Sequence, residues 1–185
     1  FFVFLILMAM AGAAEQAIAQ WASYFAEVSL GITNKTTGDL LGACLFALGM
    51  AISRTAYGFL GDKMNLKLAI AFCAALLTGA YLLASLSPIP YLSLAGIALS
   101  GLFVGIMWPG IYSLAGKSFP VGGTKMFGML ALAGDFGCTI GPSLQGIITS
   151  DIKTGLLFST IYPLILFIGI MILCIPKKKE QRELR

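Results

Sequence analysis

The chain has 185 residues, of which 58% are hydrophobic and 11% are charged, whereas a typical soluble domain is about 45–50% apolar and about 25% charged. This composition excludes a water-soluble fold, because one domain of this length cannot hide so much apolar surface. The net charge of +4 does not indicate a nucleic-acid partner, because nearly half of the 12 basic residues lie in one terminal run at 177–185.

Metal and redox sites are not expected from the composition. Histidine is absent, which removes the commonest metal ligand and general base. The cysteines fall inside apolar blocks without a Cys-x-x-Cys pair, so we interpret them as small buried hydrophobes. They are Cys44, Cys73, Cys138 and Cys174. We therefore predict neither a metal nor a cofactor.

The apolar blocks predict the fold. A helix needs roughly 20 apolar residues to cross a bilayer, and helices are expected because unpaired backbone groups are too costly in lipid. Six such stretches lie near residues 2–28, 39–60, 66–86, 91–115, 125–149 and 155–175. The chain is thus predicted as an all-α membrane protein, with a six-helix domain at 1–176 and a basic tail at 177–185. It begins inside an apolar block without a basic leader, which predicts a fragment of a longer protein.

The basic residues predict the orientation. Nine fall on one side of the predicted spans, four in the loops and five in the tail, and only Lys35 and Lys153 fall on the other side. Because basic residues stay inside, the tail and the N-terminal end are both predicted to be cytoplasmic. We expect an integral plasma (inner) membrane protein.

The first span carries Glu15, Gln16, Gln20 and Trp21. Gln16 and Gln20 share one stripe of the helix, and Glu15 lies at its flank near mid-membrane. A carboxylate at that depth costs about 2.5–3.5 kcal/mol, which implies a partner, a bound proton or a hydrated cavity. Trp21 fits either a solute pathway or an interfacial aromatic belt.

In the second span, Arg54 lies closer to the cytoplasmic end. Its long side chain fits either pairing with a carboxylate or interfacial anchoring by snorkelling. The third span carries no ionisable residue in its membrane core.

The fourth span holds Trp108 and Tyr112 on one stripe, with Pro109-Gly110 between them. Proline removes one backbone hydrogen bond, so a kink is expected beside the two rings. Aromatic rings near a kink are typical of a platform for a sugar or another organic solute. An interfacial aromatic belt is the alternative, and it fits Tyr112 better than Trp108.

The fifth span places Asp135 at mid-depth, on a face that the small residues Gly128, Ala131 and Thr139 share. The carboxyl is either bonded to a neighbouring helix or used in proton or substrate handling. The sixth span again has no ionisable residue in its core. The order polar, polar, apolar therefore occurs twice, which favours two three-helix units in inverted topology around a shared pathway.

The loop after the second span carries Gly58, Leu60, Asp62, Lys63 and Lys67, and the fifth span carries Gly137-x-x-x-Gly141-Pro142. The loop resembles the Gly-x-Leu-x-Asp-Arg/Lys-x-Gly-Arg/Lys-Arg/Lys pattern of the major facilitator superfamily, although Asn65 replaces the second glycine and Leu66 one basic residue. The glycine and proline run resembles that family's helix motif. The resemblance implies that the chain is the C-terminal half of a twelve-helix fold.

More loosely, the residues from Glu15 to Trp21 and from Trp108 to Leu114 are similar to fucose-permease-like members, which are proton-coupled sugar importers. The resemblance implies a secondary transporter half that moves a small organic solute by alternating access, with a missing N-terminal six-helix half as its partner. The predicted pathway comprises Glu15, Gln16, Gln20, Trp21, Trp108, Tyr112 and Asp135. The predicted latch or hinge comprises Arg54, Gly58, Asp62, Lys63, Pro109, Gly141 and Pro142.

Two other classes remain open from the sequence. A membrane-embedded enzyme requires a nucleophile or metal cluster that the motifs do not supply. A membrane scaffold or sensor that does not transport is compatible with the same helices.

Overall fold

The computed structural model describes residues 1–31, 35–61, 63–148 and 150–174. Within these ranges the chain is helical, with ten α-helices and one π-helical turn, Leu40–Cys44. The α-helices are α1 (Phe2–Ala19), α2 (Ala22–Leu30), α3 (Lys35–Asp39), α4 (Leu45–Leu60), α5 (Leu66–Leu86), α6 (Pro90–Val104), α7 (Met107–Ser118), α8 (Gly123–Ile148), α9 (Ile152–Ser159) and α10 (Ile161–Cys174). The all-α prediction is confirmed.

Five helical segments in the described ranges are long and apolar enough to cross a membrane. They are Phe2–Val28, Thr36–Leu60, Leu66–Leu86, Pro90–Ser118 and Ile152–Cys174. The predicted fifth span coincides with α8, which has 26 residues but is less apolar, because it contains Asp135, Gln145 and several glycines. Asp62 and the predicted tail at 177–185 lie outside the described residues.

Proline decides where two of the spans break. Pro109 has no N–H to donate to the carbonyl of Gly105, four residues earlier, and its ring crowds that carbonyl. The helix accordingly breaks between α6 and α7 at Gly105–Ile106, one turn before the predicted interruption at Pro109-Gly110. Pro163 likewise has no N–H to donate to the carbonyl of Ser159, four residues earlier, and α9 ends at Ser159. By contrast, α8 continues through Pro142.

The first span breaks without a proline. At the boundary of α1 and α2, the Trp21 N–H donates to the carbonyl of Ile18, three residues earlier, at 3.1 Å. This 3₁₀-type bond tightens the turn. Trp21 therefore follows a break in its span, as Trp108 does in the fourth span.

Glycines let the central helices approach at the level of the backbone. α1 packs mainly on α8 and α10, and α6 packs mainly on α4 and α5. A Cβ atom on Gly137 of α8 would lie 1.9 Å from the carbonyl oxygen of Ala9, and one on Gly101 of α6 would lie 2.1 Å from that of Phe46. Gly141 is also in close contact with Ala13. The glycine run of the fifth span thus lies in a tight helix contact.

Two lysines join α5 to the last span. The Lys67 amine donates to the carbonyl of Leu173 at 2.8 Å, and the Lys153 amine donates to that of Ser87 at 2.7 Å. Each lysine thus bonds the C-terminal end of the other helix, where unpaired carbonyls and the helix dipole favour a cation.

The second span is covered on one side only. α4 packs against α6, and most of the residues between Thr36 and Leu60 are exposed or half-buried. Cys44, on the π-helical turn, is exposed. The interpretation of the cysteines as buried residues is therefore wrong for Cys44, and the other three are half-buried.

Substitution of Gly137 should reveal the glycine contact between α1 and α8. We expect Gly137→Val to lower the thermal stability of the full-length protein in detergent, because overpacking of this kind costs about 1–3 kcal/mol. Gly79→Val is the matched control, since a Cβ atom there would have nothing within 4 Å. Equal melting temperatures for the two variants would contradict the close approach of α1 and α8.

Candidate functional site

An ion pair joins the first two spans. The Arg54 Nη2 atom of α4 donates to both oxygens of Glu15 on α1, at 3.1 and 3.3 Å. The Glu15 side chain is 12% exposed and that of Arg54 is 45% exposed. Of the two options open for Arg54, the structure has pairing with a carboxylate. A nearly buried charge thereby gains a partner at the surface of the bundle.

The aromatic residues of α7 pack toward α8. The Trp108 indole lies where a side chain on Gly134 would stand, since a Cβ atom there would be 2.5 Å from the ring. The ring centroids of Trp108 and Tyr112 are 6.2 Å apart, and those of Tyr112 and Phe127 are 5.9 Å apart. The Trp108 Nε1 atom is buried and has no hydrogen-bond partner among the described residues.

Asp135 of α8 is exposed. In the described part of the chain its carboxylate makes no hydrogen bond or ion pair, so the structure does not have the carboxyl bonded to a neighbouring helix. The Asp135 carboxylate interacts electrostatically with the Tyr112 hydroxyl. Cys138, one turn further along α8, lies within electrostatic range of both Asp135 and Glu15. Cys138 also lies where a side chain on Gly12 of α1 would stand.

We call Glu15, Arg54, Trp108, Tyr112, Asp135 and Cys138 the polar cluster. Its members come from α1, α4, α7 and α8, while α5 and α10 contribute none. The sequence identified five of the six and missed the position of Cys138. Its spacing of three residues from Asp135, which places both on one helical face, was the available signal.

Other predicted pathway residues lie apart from the polar cluster. Gln16 is half-buried and Gln20 is exposed, and neither amide makes a hydrogen bond within the described ranges. Further along the same stripe, the Ser23 hydroxyl donates to Asp39, and Gly38 packs against Glu27. The end of the stripe therefore faces α3, because the break at Trp21 changes the course of the helix.

Trp21 is not near Trp108. Its ring lies beside Gly146 of α8 and forms an edge contact with Tyr24, with centroids 6.2 Å apart. The two tryptophans thus occupy different sites on the bundle.

The predicted latch residues are dispersed. Gly58 and Lys63 are exposed, whereas Gly141 and Pro142 are buried where α8 contacts α1. Sequence reasoning missed a hydrogen bond between the second and fourth spans, in which the Tyr57 hydroxyl donates to Ser113 Oγ at 2.7 Å. No sequence motif pointed to this pair.

The described residues contain no group of three or more His, Cys, Asp or Glu side chains that could hold a metal ion. The polar cluster offers instead one paired carboxylate, one unpaired carboxylate and a buried indole N–H. The carboxylates can hold a proton, and they can accept hydrogen bonds from a solute.

Comparison with known proteins gives one family. A family model described as Major Facilitator Superfamily matches residues 3–185, which is nearly the whole chain. No curated protein matches the chain significantly.

Substitution of Glu15 and Arg54, singly and together, should show how much their ion pair stabilises the fold. We expect Arg54→Met alone to lower the thermal stability of the full-length protein, because it leaves the Glu15 carboxylate unpaired in an apolar setting. The double variant Glu15→Gln with Arg54→Met should recover most of the loss. Melting temperatures of the single and double variants form the cycle, and strictly additive losses would contradict a direct pair.

Proposed function

The chain belongs to the Major Facilitator Superfamily, and we propose that it is one half of a proton-coupled symporter for a small neutral solute, with a sugar as the leading candidate. The chain is an integral, multi-pass membrane protein and a transporter of the major facilitator type. Members of that family are transporters rather than enzymes.

The observation that carries the proposal is the Glu15–Arg54 ion pair between the first two spans, together with the exposed carboxylate of Asp135 on α8. Charged groups within membrane spans are rare, and they mark ion or substrate pathways. A carboxylate that is paired in one state can take up a proton and release its cationic partner in another. Glu15 is therefore the proposed proton carrier, and Arg54 is the group that its protonation frees.

The solute is proposed to bind beside Trp108. The half-buried Trp108 ring suits a molecule with an apolar face, as a sugar has. Tyr112 and Asp135 stand next to it and can hydrogen-bond hydroxyl groups. These contacts, with the sequence resemblance of the first and fourth spans, support the fucose-permease-like branch.

The packing supports an inverted repeat of three spans. The test is to exchange the first span with the fourth, the second with the fifth and the third with the sixth. This exchange maps the packed pair α1–α8 onto the packed pair α6–α4. It also maps α1–α10 onto α6–α5, and the pair α5–α10 onto itself. The reciprocal hydrogen bonds of Lys67 and Lys153 follow the same exchange.

Both lysines stand two residues after a helix cap. The Asn65 side chain accepts from the N–H of Leu68, and that of Asp151 accepts from the N–H of Thr154. The third and sixth spans thus begin with the same local design at opposite ends of the bundle. Inverted repeats provide the two mirrored conformations that alternating access requires.

The partner of this half is proposed to be a preceding six-helix half, against which the face with the polar cluster would close. The count of basic residues supports a cytoplasmic C-terminus in a plasma (inner) membrane. Gly58, Asp62 and Lys63 are proposed to latch the cytoplasmic side, while Pro109, Gly141 and Pro142 serve as bending points.

Proton coupling can be tested by uptake into proteoliposomes that contain the full-length protein. With an alkaline interior, we expect accumulation of one member of a panel of radiolabelled neutral sugars. Glu15→Gln should abolish accumulation but preserve sugar exchange across the membrane, because the amide can no longer carry a proton.

Asp151→Asn is the matched control, since it changes a carboxylate outside the spans and keeps a capping side chain. It should accumulate the sugar as the parent does. Proton-linked accumulation that is unchanged in Glu15→Gln would remove Glu15 from the mechanism. Failure of every sugar to enter the vesicles would contradict the proposed solute class and favour a scaffold.

A further inference from the structure

Tyr81 carries a buried hydroxyl on α5, one of the two helices that contribute nothing to the polar cluster. Its side chain is 0% exposed, and its hydroxyl donates to the carbonyl oxygen of Ala14 on α1 at 2.5 Å. Ala14 directly precedes Glu15 in the sequence. The hydroxyl therefore contacts the backbone of the first span beside its carboxylate.

The other hydroxyl groups of α5 form bonds of a different kind. The Thr78 hydroxyl donates to the carbonyl of Ala74 at 2.8 Å, and the Ser85 hydroxyl donates to that of Tyr81 at 2.9 Å. Both bonds stay within α5, as is common for serine and threonine in a helix. Of the three hydroxyl groups on this fully described helix, that of Tyr81 is the one that donates to another span.

The backbone of α1 does not need this bond. Within an α-helix a carbonyl accepts from the N–H four residues later, so the acceptor of the Ile18 N–H is Ala14, and both residues lie inside α1. Tyr81 adds a second donor to a carbonyl that already has one. Its contribution is therefore a link between two helices.

Tyr81 reaches α1 from a helix that packs mainly elsewhere. α5 packs mainly on α6 and α10, whereas α1 packs mainly on α8 and α10. The ion pair of Glu15 and Arg54 joins α1 to α4, which packs on α6. Two polar contacts thus run from consecutive residues of α1 to the group formed by α4, α5 and α6.

Tyr162 of α10 makes a similar bond to the fifth span. Its hydroxyl donates to the carbonyl of Gly141 on α8 at 3.3 Å, and it interacts electrostatically with the Tyr81 hydroxyl. Gly141 in turn packs against Ala13 of α1. Each hydroxyl has its own acceptor, and both acceptors lie where α1 contacts α8.

We propose that Tyr81 is a positioning residue for Glu15, and this inference rests on the proposed role of Glu15 as the proton carrier. The hydroxyl holds the Ala14 carbonyl, which keeps the neighbouring carboxylate at 3.1 Å from Arg54. A group that exchanges a proton and an ionic partner has to return to the same place in every cycle. A displacement of about 1 Å is enough to lose the geometry of such a contact.

The first test is a thermal double-mutant cycle on the full-length protein in detergent. Glu15→Gln, Arg54→Met and the double variant are made in the parent and in Tyr81→Phe, and the melting temperatures give the interaction between the two charges. We expect Tyr81→Phe to remove most of that interaction, although it deletes one oxygen atom and leaves the ring in place. General loosening of the fold would lower every melting temperature and leave the interaction unchanged.

Ser85→Ala is the matched control for the cycle. Ser85 is buried on the same helix, one turn from Tyr81, and its hydroxyl bonds carbonyls of its own helix. We expect the interaction between Glu15 and Arg54 to be the same in Ser85→Ala as in the parent.

The second test measures transport in proteoliposomes, with the radiolabelled neutral sugar that the parent accumulates. Tyr81→Phe should lower the initial rate of proton-driven accumulation on the order of tenfold, because displaced reacting groups act that much more slowly or worse. Exchange of the same sugar across the membrane should continue at the parent rate, since exchange does not use the proton. A merely structural role would lower both rates together.

An unchanged interaction between Glu15 and Arg54 in Tyr81→Phe, or an equal loss in Ser85→Ala, would overturn the proposal. The absence of any interaction in the parent would overturn it as well, and so would a parallel loss of accumulation and exchange. Failure of the proposed transport is a separate result. If the parent accumulates no sugar, the melting temperatures still decide whether Tyr81 positions Glu15.

Discussion

Hydrocarbon penalises an unpaired charge, and the arrangement of the polar helices depends on that constraint. Glu15 lies on a helix whose neighbouring residues are mostly alanine, and its partner Arg54 comes from the next span. The pair ties α1 to α4, two helices that otherwise pack mainly on α8 and on α6. Asp135 and Trp108 lie on α8 and α7, both of which contact α1.

A different constraint acts on the apolar helices. Lipid tails are as apolar as leucine, so helices gain little from burying apolar side chains against one another and associate through close packing and hydrogen bonds. Gly137 and Gly101 provide the close packing for α1 on α8 and for α6 on α4. Lys67 and Lys153 provide hydrogen bonds between α5 and the last span. These contacts separate two apolar helices from the four that carry polar groups.

Breaks in the helices set the positions of the two tryptophans. Trp21 and Trp108 each follow a break, and each has a buried indole N–H without a partner in the described residues. A break redirects the helix that follows it, so the ring at its start can point into a space between helices. The two tryptophans therefore lie in different parts of the bundle, with Trp108 beside Gly134 and Trp21 beside Gly146.

The sequence by itself determined the helical spans, the spans with polar residues and the helix break that Pro109 causes. These depend on apolar length, composition and the missing N–H of proline, all of which act within a few residues. Only the tertiary structure decided that Arg54 pairs with Glu15, that Cys138 lies against Gly12 and that Trp21 lies beside Gly146. Those contacts join residues far apart in the chain, and they depend on how each helix is rotated and packed, which no local pattern records.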